Sequence, residues 1–167
     1  DTRIGNRNYS LVYDGEARVY LNENYLPRAF LVPRGRYIAD ARLLRAAMRE
    51  IVPYDAVLLD HEPPAEMSAD RPTPEGFIHE VTAIRHTPNE VEITFSAVSD
   101  AYLVLTDTYF KGWKAFIRPA DAQSSQLAER SLDIERAYGT FRAVQVPAGE
   151  WVVRFKYTPD SVKYGLY

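Results

Sequence analysis

The residues from 77 to 157 form a succession of short apolar runs separated by turn residues, and this pattern constrains the fold more than any other feature of the chain. Val91, Ile93 and Phe95 alternate with polar residues, which is the period of a strand with one buried face. Comparable runs lie at 77–86, 102–106, 113–118, 141–146 and 151–157. Short strands at such spacing predict an antiparallel β-sandwich rather than a parallel sheet.

Residues 1–60 follow a different pattern. Two apolar runs flank Asp14-Gly15, a pair that favours the positive φ angles of a type I′ hairpin turn. Further along, Asp40 can cap a helix that Pro53 ends. The apolar positions of this helix follow helical spacing and are Leu43, Leu44, Ala47, Met48 and Ile51. Because an apolar strand at 28–32 precedes the helix and another at 56–59 follows it, the segment predicts a small α/β element of strand, helix and strand.

A proline-rich, acidic segment separates these two patterns. Residues 61–76 contain four prolines and few large apolar side chains, which is the composition of a linker or surface loop. The predicted fold is therefore α+β, with a small subdomain at 1–60, a linker at 61–76 and an antiparallel β-sandwich at 77–167. The polar segment 120–137 is left open, with a helix or a strand at 127–134.

Charge and composition exclude several classes of function. Residues 51–100 hold ten acidic residues against two arginines, which argues against nucleic acid as a partner because phosphate binding needs a concentrated basic face. The chain has no cysteine, which removes disulfides and cysteine-based metal sites. It also lacks an apolar run of the roughly 20 residues that span a bilayer. We therefore expect a soluble piece cut from a larger protein.

No set of residues has the spacing of a catalytic, cofactor or metal site. The three histidines, His61, His79 and His86, lie far apart and have no paired ligand in sequence. Phosphate-loop, dinucleotide and nucleophile-elbow motifs are missing from the sequence. The acids Asp107, Glu62, Glu66 and Asp70 leave open a carboxylate pair for glycoside hydrolysis. For Asp107 we favour a structural role at a strand end, accepting turn amide hydrogen bonds.

Tyr109 and Trp113 are the candidate binding residues. Aromatic faces in a loop beside a β-sandwich are what sugar-binding modules use for stacking. The structural interpretation is stronger for Trp113, because a tryptophan that starts a strand after the turn residue Gly112 usually anchors a core. The strand period then places Trp113, Ala115 and Ile117 on one face.

Four sequence blocks, in the same order, carry a resemblance to a known family. They are 18–22 (RVYLN), 26–32 (LPRAFLV), 102–117 (YLVLTDTYFKGWKAFI) and 140–157 (TFRAVQVPAGEWVVRFKY). Together they resemble the membrane-adjacent C-terminal region of bacterial multi-span membrane proteins of the YfhO family and related glycosyltransferase-like proteins. In those proteins the segment equivalent to 157–165 leads into a membrane helix.

The resemblance implies a non-catalytic extracytoplasmic domain of a polytopic bacterial membrane protein, linked to transfer of lipid-linked sugars or assembly of cell-envelope polymers. Its expected partners are the membrane portion of its own parent chain and a glycan or lipid-linked sugar, with no cofactor. Two other hypotheses stay open at this point. One is a carbohydrate-binding module that uses Tyr109 and Trp113, and the other is a soluble hydrolase.

Overall fold

The computed structural model describes residues 9–23, 25–121 and 129–159. In this part of the chain the first elements are strands β1 Tyr9–Asp14, β2 Arg18–Asn22, β3 Ala29–Val32 and β4 Gly35–Tyr37, helix α1 Ala41–Glu50, strand β5 Val57–Leu59 and a 3₁₀ turn Ala65–Met67. The remaining strands are β6 Ala83–Thr87, β7 Glu90–Ala97, β8 Ala101–Thr108, β9 Trp113–Pro119, β10 Arg130–Leu132, β11 Glu135–Ala137, β12 Phe141–Val146 and β13 Gly149–Tyr157.

Two sheets pack face to face, which confirms the predicted β-sandwich. The five-stranded sheet has the order β10-β9-β13-β7-β6, and the six-stranded sheet has the order β3-β8-β12-β11-β5-β4. Strands β8 and β12 pair antiparallel, whereas in a parallel sheet they would run in the same direction. The residues that alternate in the sequence form the core between the sheets, with Ile93 and Phe95 from one sheet packed with Leu103 and Val144 from the other.

The six-stranded sheet is buried on its second face as well. There Phe30, Tyr102 and Val104 form a separate core with Met67, against which Leu44 of the helix packs. Consecutive residues of β3 and β8 therefore point into two different cores, and all four residues of β3 are buried. This explains why both strands are continuous apolar runs in the sequence rather than alternating ones.

The predicted strands at 28–32 and 56–59 are present as β3 and β5, on either side of the helix in the chain, but they do not pair with each other. The strand that pairs in parallel with β5 is β4, which was not predicted. An oxygen of Asp40 accepts hydrogen bonds from the backbone N–H groups of Arg42 and Leu43, at 2.6 and 3.4 Å, and so caps the helix as predicted. The predicted apolar face is wrong for Leu43 and Met48, which are exposed. Leu44, Ala47 and Ile51 are the residues of this face that pack against the second core, so the helix covers the sheet with a narrow stripe.

The two predicted subdomains share one sheet. Strands β3, β4 and β5 precede the segment 61–76, whereas β8, β11 and β12 follow it, and all six belong to the same sheet. The segment itself packs on that sheet, with Met67 buried in the second core and Ser68 forming a bridge to Gly35. Its few apolar groups are used for packing, so composition alone does not distinguish it from a linker.

The predicted hairpin of β1 and β2 is present, although its predicted turn is wrong. Asp14 pairs with Arg18, so three residues make the turn, and Gly15 does not take a positive φ. Each strand also keeps most of its side chains exposed. In the segment left open, the chain forms β10 and β11, while residues 122–128 lie outside the described part.

A strained turn joins β11 to β12. Tyr138 has a φ of 50° and Gly139 a φ of 72°, and the N–H of Thr140 donates to the carbonyl oxygen of Ala137 at 3.1 Å. Two consecutive positive φ angles define a type I′ hairpin turn, in which a tyrosine is costly. The Tyr138 hydroxyl compensates by donating to the carbonyl oxygen of Pro53 at 2.6 Å, in a nearly buried position.

We predict that Tyr138→Phe lowers the free energy of unfolding by about 1 to 2 kcal/mol, because the carbonyl of Pro53 loses its donor. Urea denaturation would measure the change. Tyr25→Phe, at a tyrosine that is 69% exposed, is the matched control and should leave the stability unaltered. Equal stability of both variants would show that the hydroxyl does not hold the turn.

Candidate functional site

An ion cluster lies at one end of the sandwich. Asp107 is the penultimate residue of β8, Arg28 immediately precedes β3, and Arg142 is the second residue of β12. Strand β8 pairs with both of the other strands, so the register brings the three side chains together. Arg28 donates to both carboxylate oxygens of Asp107, at 3.2 and 3.1 Å, and Arg142 donates to one of them at 3.1 Å. One carboxylate therefore joins three strands of the six-stranded sheet.

Arg142 is the buried member of this cluster. It is 2% exposed, and its guanidinium carbon lies 3.9 Å from the ring centroid of Trp113, which belongs to the opposite sheet. Burial lowers the pKa of Arg142, and the Asp107 carboxylate acts in the opposite direction. Its Nε and Nη1 atoms have no hydrogen-bond partner among the described residues, and the ring face of Trp113 there replaces part of the lost solvation. The contact between Arg142 and Trp113 therefore links the two sheets at this end of the sandwich.

The structure corrects the role predicted for Asp107. This residue lies within a strand, and its carboxylate accepts hydrogen bonds from two guanidinium groups rather than from turn amides. Sequence reasoning also missed Arg28 and Arg142. The available signal was one arginine at the start of each of two apolar strands, but nothing local indicates that both strands flank the one that ends in Asp107.

Trp113 faces the sandwich core on the same side as Ala115 and Ile117, as the strand period predicts. Arg142 covers its ring, and the ring of Tyr157 lies 5.3 Å away. Tyr109 has a different set of neighbours: the guanidinium of Arg136 lies 4.9 Å from its ring centroid. Each of these two aromatic rings therefore has an arginine over one face.

A second polar group forms around Glu135, at the start of β11. Its Oε1 accepts from the Gln145 amide at 2.7 Å, and its Oε2 lies 3.3 Å from Nε2 of His61, close enough for an ion pair but not aligned for a hydrogen bond. Nδ1 of His61 is 3.2 Å from a carboxylate oxygen of Asp60. Burial raises the pKa of Glu135, and Gln145 and His61 partly oppose that change.

Glu135 and Gln145 also line an open cleft of about 290 Å³. The other lining residues are Arg130, Ser131, Leu132 and Asp133. The cleft offers hydrogen-bonding groups but no aromatic ring. Sequence reasoning missed Glu135 because its partners come from strands that are distant in the sequence.

The four acids considered for glycoside hydrolysis have other surroundings in the described structure than a catalytic carboxylate pair. Asp107 is held by two arginines, Asp70 accepts from Ser68 at 3.4 Å, and Glu62 and Glu66 lie on the exposed side of the 61–76 segment. Among the described residues no group of three or more histidine, aspartate or glutamate side chains is placed to hold a metal ion. His79 is used structurally, with Nδ1 2.8 Å from the carbonyl oxygen of Leu31.

Comparison of the chain with protein-family models, with curated proteins and with solved structures finds no match. Within residues 9–23, 25–121 and 129–159, no helix is both long and apolar enough to cross a membrane. The function is therefore argued from the arrangement of residues in this fold.

We predict that Asp107→Ala lowers the free energy of unfolding by about 2 to 3 kcal/mol, because Arg142 stays buried without a counter-charge. The value is below that of a fully buried pair since the Asp107 side chain is 25% exposed. Asp14→Ala, which breaks the exposed pair with Arg18, is the matched control and should cost less than about 1 kcal/mol. Equal losses in chemical denaturation would contradict a structural role of the cluster.

We also predict that stability depends on the ionisation of Glu135. Since folding raises its pKa, the folded protein binds the proton more tightly than the unfolded chain, and stability falls as the pH rises through the folded pKa. Glu135→Gln should therefore stabilise the protein at pH values above the folded pKa, neutral pH included, and flatten this part of the profile. Thermal melts across the acidic to neutral range would measure it, and an unchanged profile would contradict the assignment.

Proposed function

We propose that this chain is a non-catalytic extracytoplasmic domain of a polytopic bacterial membrane protein, linked to transfer of lipid-linked sugars or assembly of cell-envelope polymers. The proposal begins from the sequence resemblance. The contacts of the fold then supply physical reasons for it.

The observation that carries the proposal is that three of the four resembling blocks meet at the ion cluster. Arg28 belongs to the block 26–32, Asp107 and Trp113 belong to 102–117, and Arg142 belongs to 140–157. These residues contact one another through two ion pairs and one stacked guanidinium. These three motifs therefore belong to one cluster of contacts, which supports a shared fold over three separate coincidences.

The same cluster supports a non-catalytic role. Its single carboxylate is neutralised by two arginines, and its tryptophan face is covered, so its groups are engaged in holding strands together. Glu135 has the perturbed pKa of a candidate acid, but its described partners are a histidine and an amide. Neither place assembles a nucleophile with a base.

The β1–β2 hairpin supports a domain that belongs to a larger assembly. Its exposed apolar side chains include Leu11, Tyr13, Val19 and Leu21, each about half exposed. An isolated two-stranded hairpin is at best marginally stable in water, and a contiguous exposed apolar surface usually marks an interaction site. Packing against other parts of a membrane protein would cover it.

A carbohydrate-binding module is the second candidate, and the cleft beside Glu135 favours it. Hydroxyl, amide and carboxylate groups line this cleft, and such groups suit a polyhydroxylated ligand. Tyr109 and Trp113 do not line it. A glycan would therefore be bound through polar contacts rather than by stacking on the two predicted rings.

The test is a topology assay on the natural gene that contains this sequence. Alkaline phosphatase fused after Tyr167 should be active, and green fluorescent protein at the same position should be dark, because each reporter works on only one side of the bacterial membrane. The fusion protein should sediment with membranes. A fluorescent fusion in the soluble fraction would overturn the proposal, and a soluble, secreted, glycan-binding product would favour the second candidate.

A further inference from the structure

The lysines of the described residues lie together at one end of the sandwich. There are three lysines within those residues. Lys111 lies in the turn between β8 and β9, Lys114 is the second residue of β9, and Lys156 is the penultimate residue of β13. Lys114 and Lys156 are direct cross-strand partners in the five-stranded sheet. All three side chains are exposed. We call these residues, with Phe110, the lysine end.

None of the three lysines forms an ion pair among the described residues, although the charge of Lys156 helps to lower the pKa of Glu129. Glu90 lies opposite Lys156 on β7, but its carboxylate pairs with Arg154 at 3.1 Å. The arginines on the same face of the sheet form ion pairs with other acidic residues. Arg118, for example, pairs with Glu92 at 3.2 Å. Like charges in direct cross-strand positions are unfavourable, so the Lys114–Lys156 pair carries a cost, while Glu129 interacts with Lys156 alone of the two.

An exposed aromatic side chain adjoins one of these charges in the chain. Phe110 precedes Lys111 in the turn and is 63% exposed, although most large apolar groups after residue 90 are buried. Gly112, with a φ of 96°, allows the sharp reversal that presents both residues at the tip of the turn. Aromatic and basic residues together are typical of surfaces that sit at the lipid headgroup layer.

The shape of the lysine end favours a membrane over other anionic partners. The three lysines are spread over a turn and two strand ends, so they match an extended layer of phosphates better than one small anion. Strand β3 begins at this same end, and the hairpin with its exposed tyrosines and leucines precedes it in the chain. Nucleic acid is disfavoured because binding to its backbone needs a concentrated basic face, and three lysines beside ion-paired arginines do not form one.

We infer that the lysine end binds the anionic headgroups of a lipid bilayer, with Phe110 entering the headgroup layer. This inference rests on the proposed function and adds the orientation of the domain: this end faces the membrane, and the opposite end of the sandwich faces away from it.

Vesicle co-sedimentation of the 167-residue chain tests the inference. Binding should be strong to phosphatidylcholine vesicles that contain phosphatidylglycerol, weak to pure phosphatidylcholine, and lowered by salt. The triple variant Lys111→Gln, Lys114→Gln and Lys156→Gln should lose on the order of a hundredfold in affinity, at about 1 kcal/mol for each cation. Phe110→Ser should lose several-fold while keeping the salt dependence.

The matched control replaces three exposed arginines elsewhere, Arg36→Gln, Arg45→Gln and Arg71→Gln, which gives the same net charge. This variant should bind like the unmodified chain, and the melting temperature of the triple lysine variant should not fall, since a like-charge pair has been removed. Equal loss in both triple variants, no binding of the unmodified chain, or full competition by inorganic phosphate would overturn the inference. A membrane-bound, phosphatase-positive fusion together with absent vesicle binding would reject the orientation alone.

Discussion

Strand β8 is buried on both of its faces, and the arrangement of the other elements follows from this. Leu103 and Leu105 point into the core between the sheets, while Tyr102 and Val104 point into the core under the helix. A strand of this kind is stable only when both layers are in place. The helix and the five-stranded sheet pack on opposite faces of the six-stranded sheet, yet each depends on the other because both cover the same strand.

The ion cluster lies near the end of β8, where the strand is no longer fully buried. Beyond Leu105 the strand leaves the two cores, and Asp107 is where polar contacts replace apolar ones. Its carboxylate ties β3 and β12 to β8 on either side, and Arg142 carries the link across to Trp113 in the other sheet. Because Arg142 is buried, removing its counter-charge costs more than breaking an ordinary surface pair.

The features that could be predicted from the sequence are those set by neighbouring residues, such as strand alternation and helix capping. The alternation around Ile93 placed β7, and Asp40 marked the helix start because its cap bonds reach only two and three residues ahead. The site could not be predicted in the same way. Arg28 and Asp107 are 79 residues apart, and Arg142 is 35 residues from Asp107, so their meeting depends on strand order rather than on any local pattern.

The two kinds of basic residue have different uses in this fold, and the difference bears on function. The planar guanidinium group can bridge acceptors, as Arg154 does between Glu90 and Glu129 on the outer face of the five-stranded sheet. Those two carboxylates raise the pKa of Arg154, and Arg154 lowers the pKa of Glu129, so this charge is satisfied within the protein. The lysines beside it have no such partners among the described residues. The local field at that end is therefore positive although the chain is acidic overall, and it is the position of the charge, rather than its sum, that selects an anionic surface.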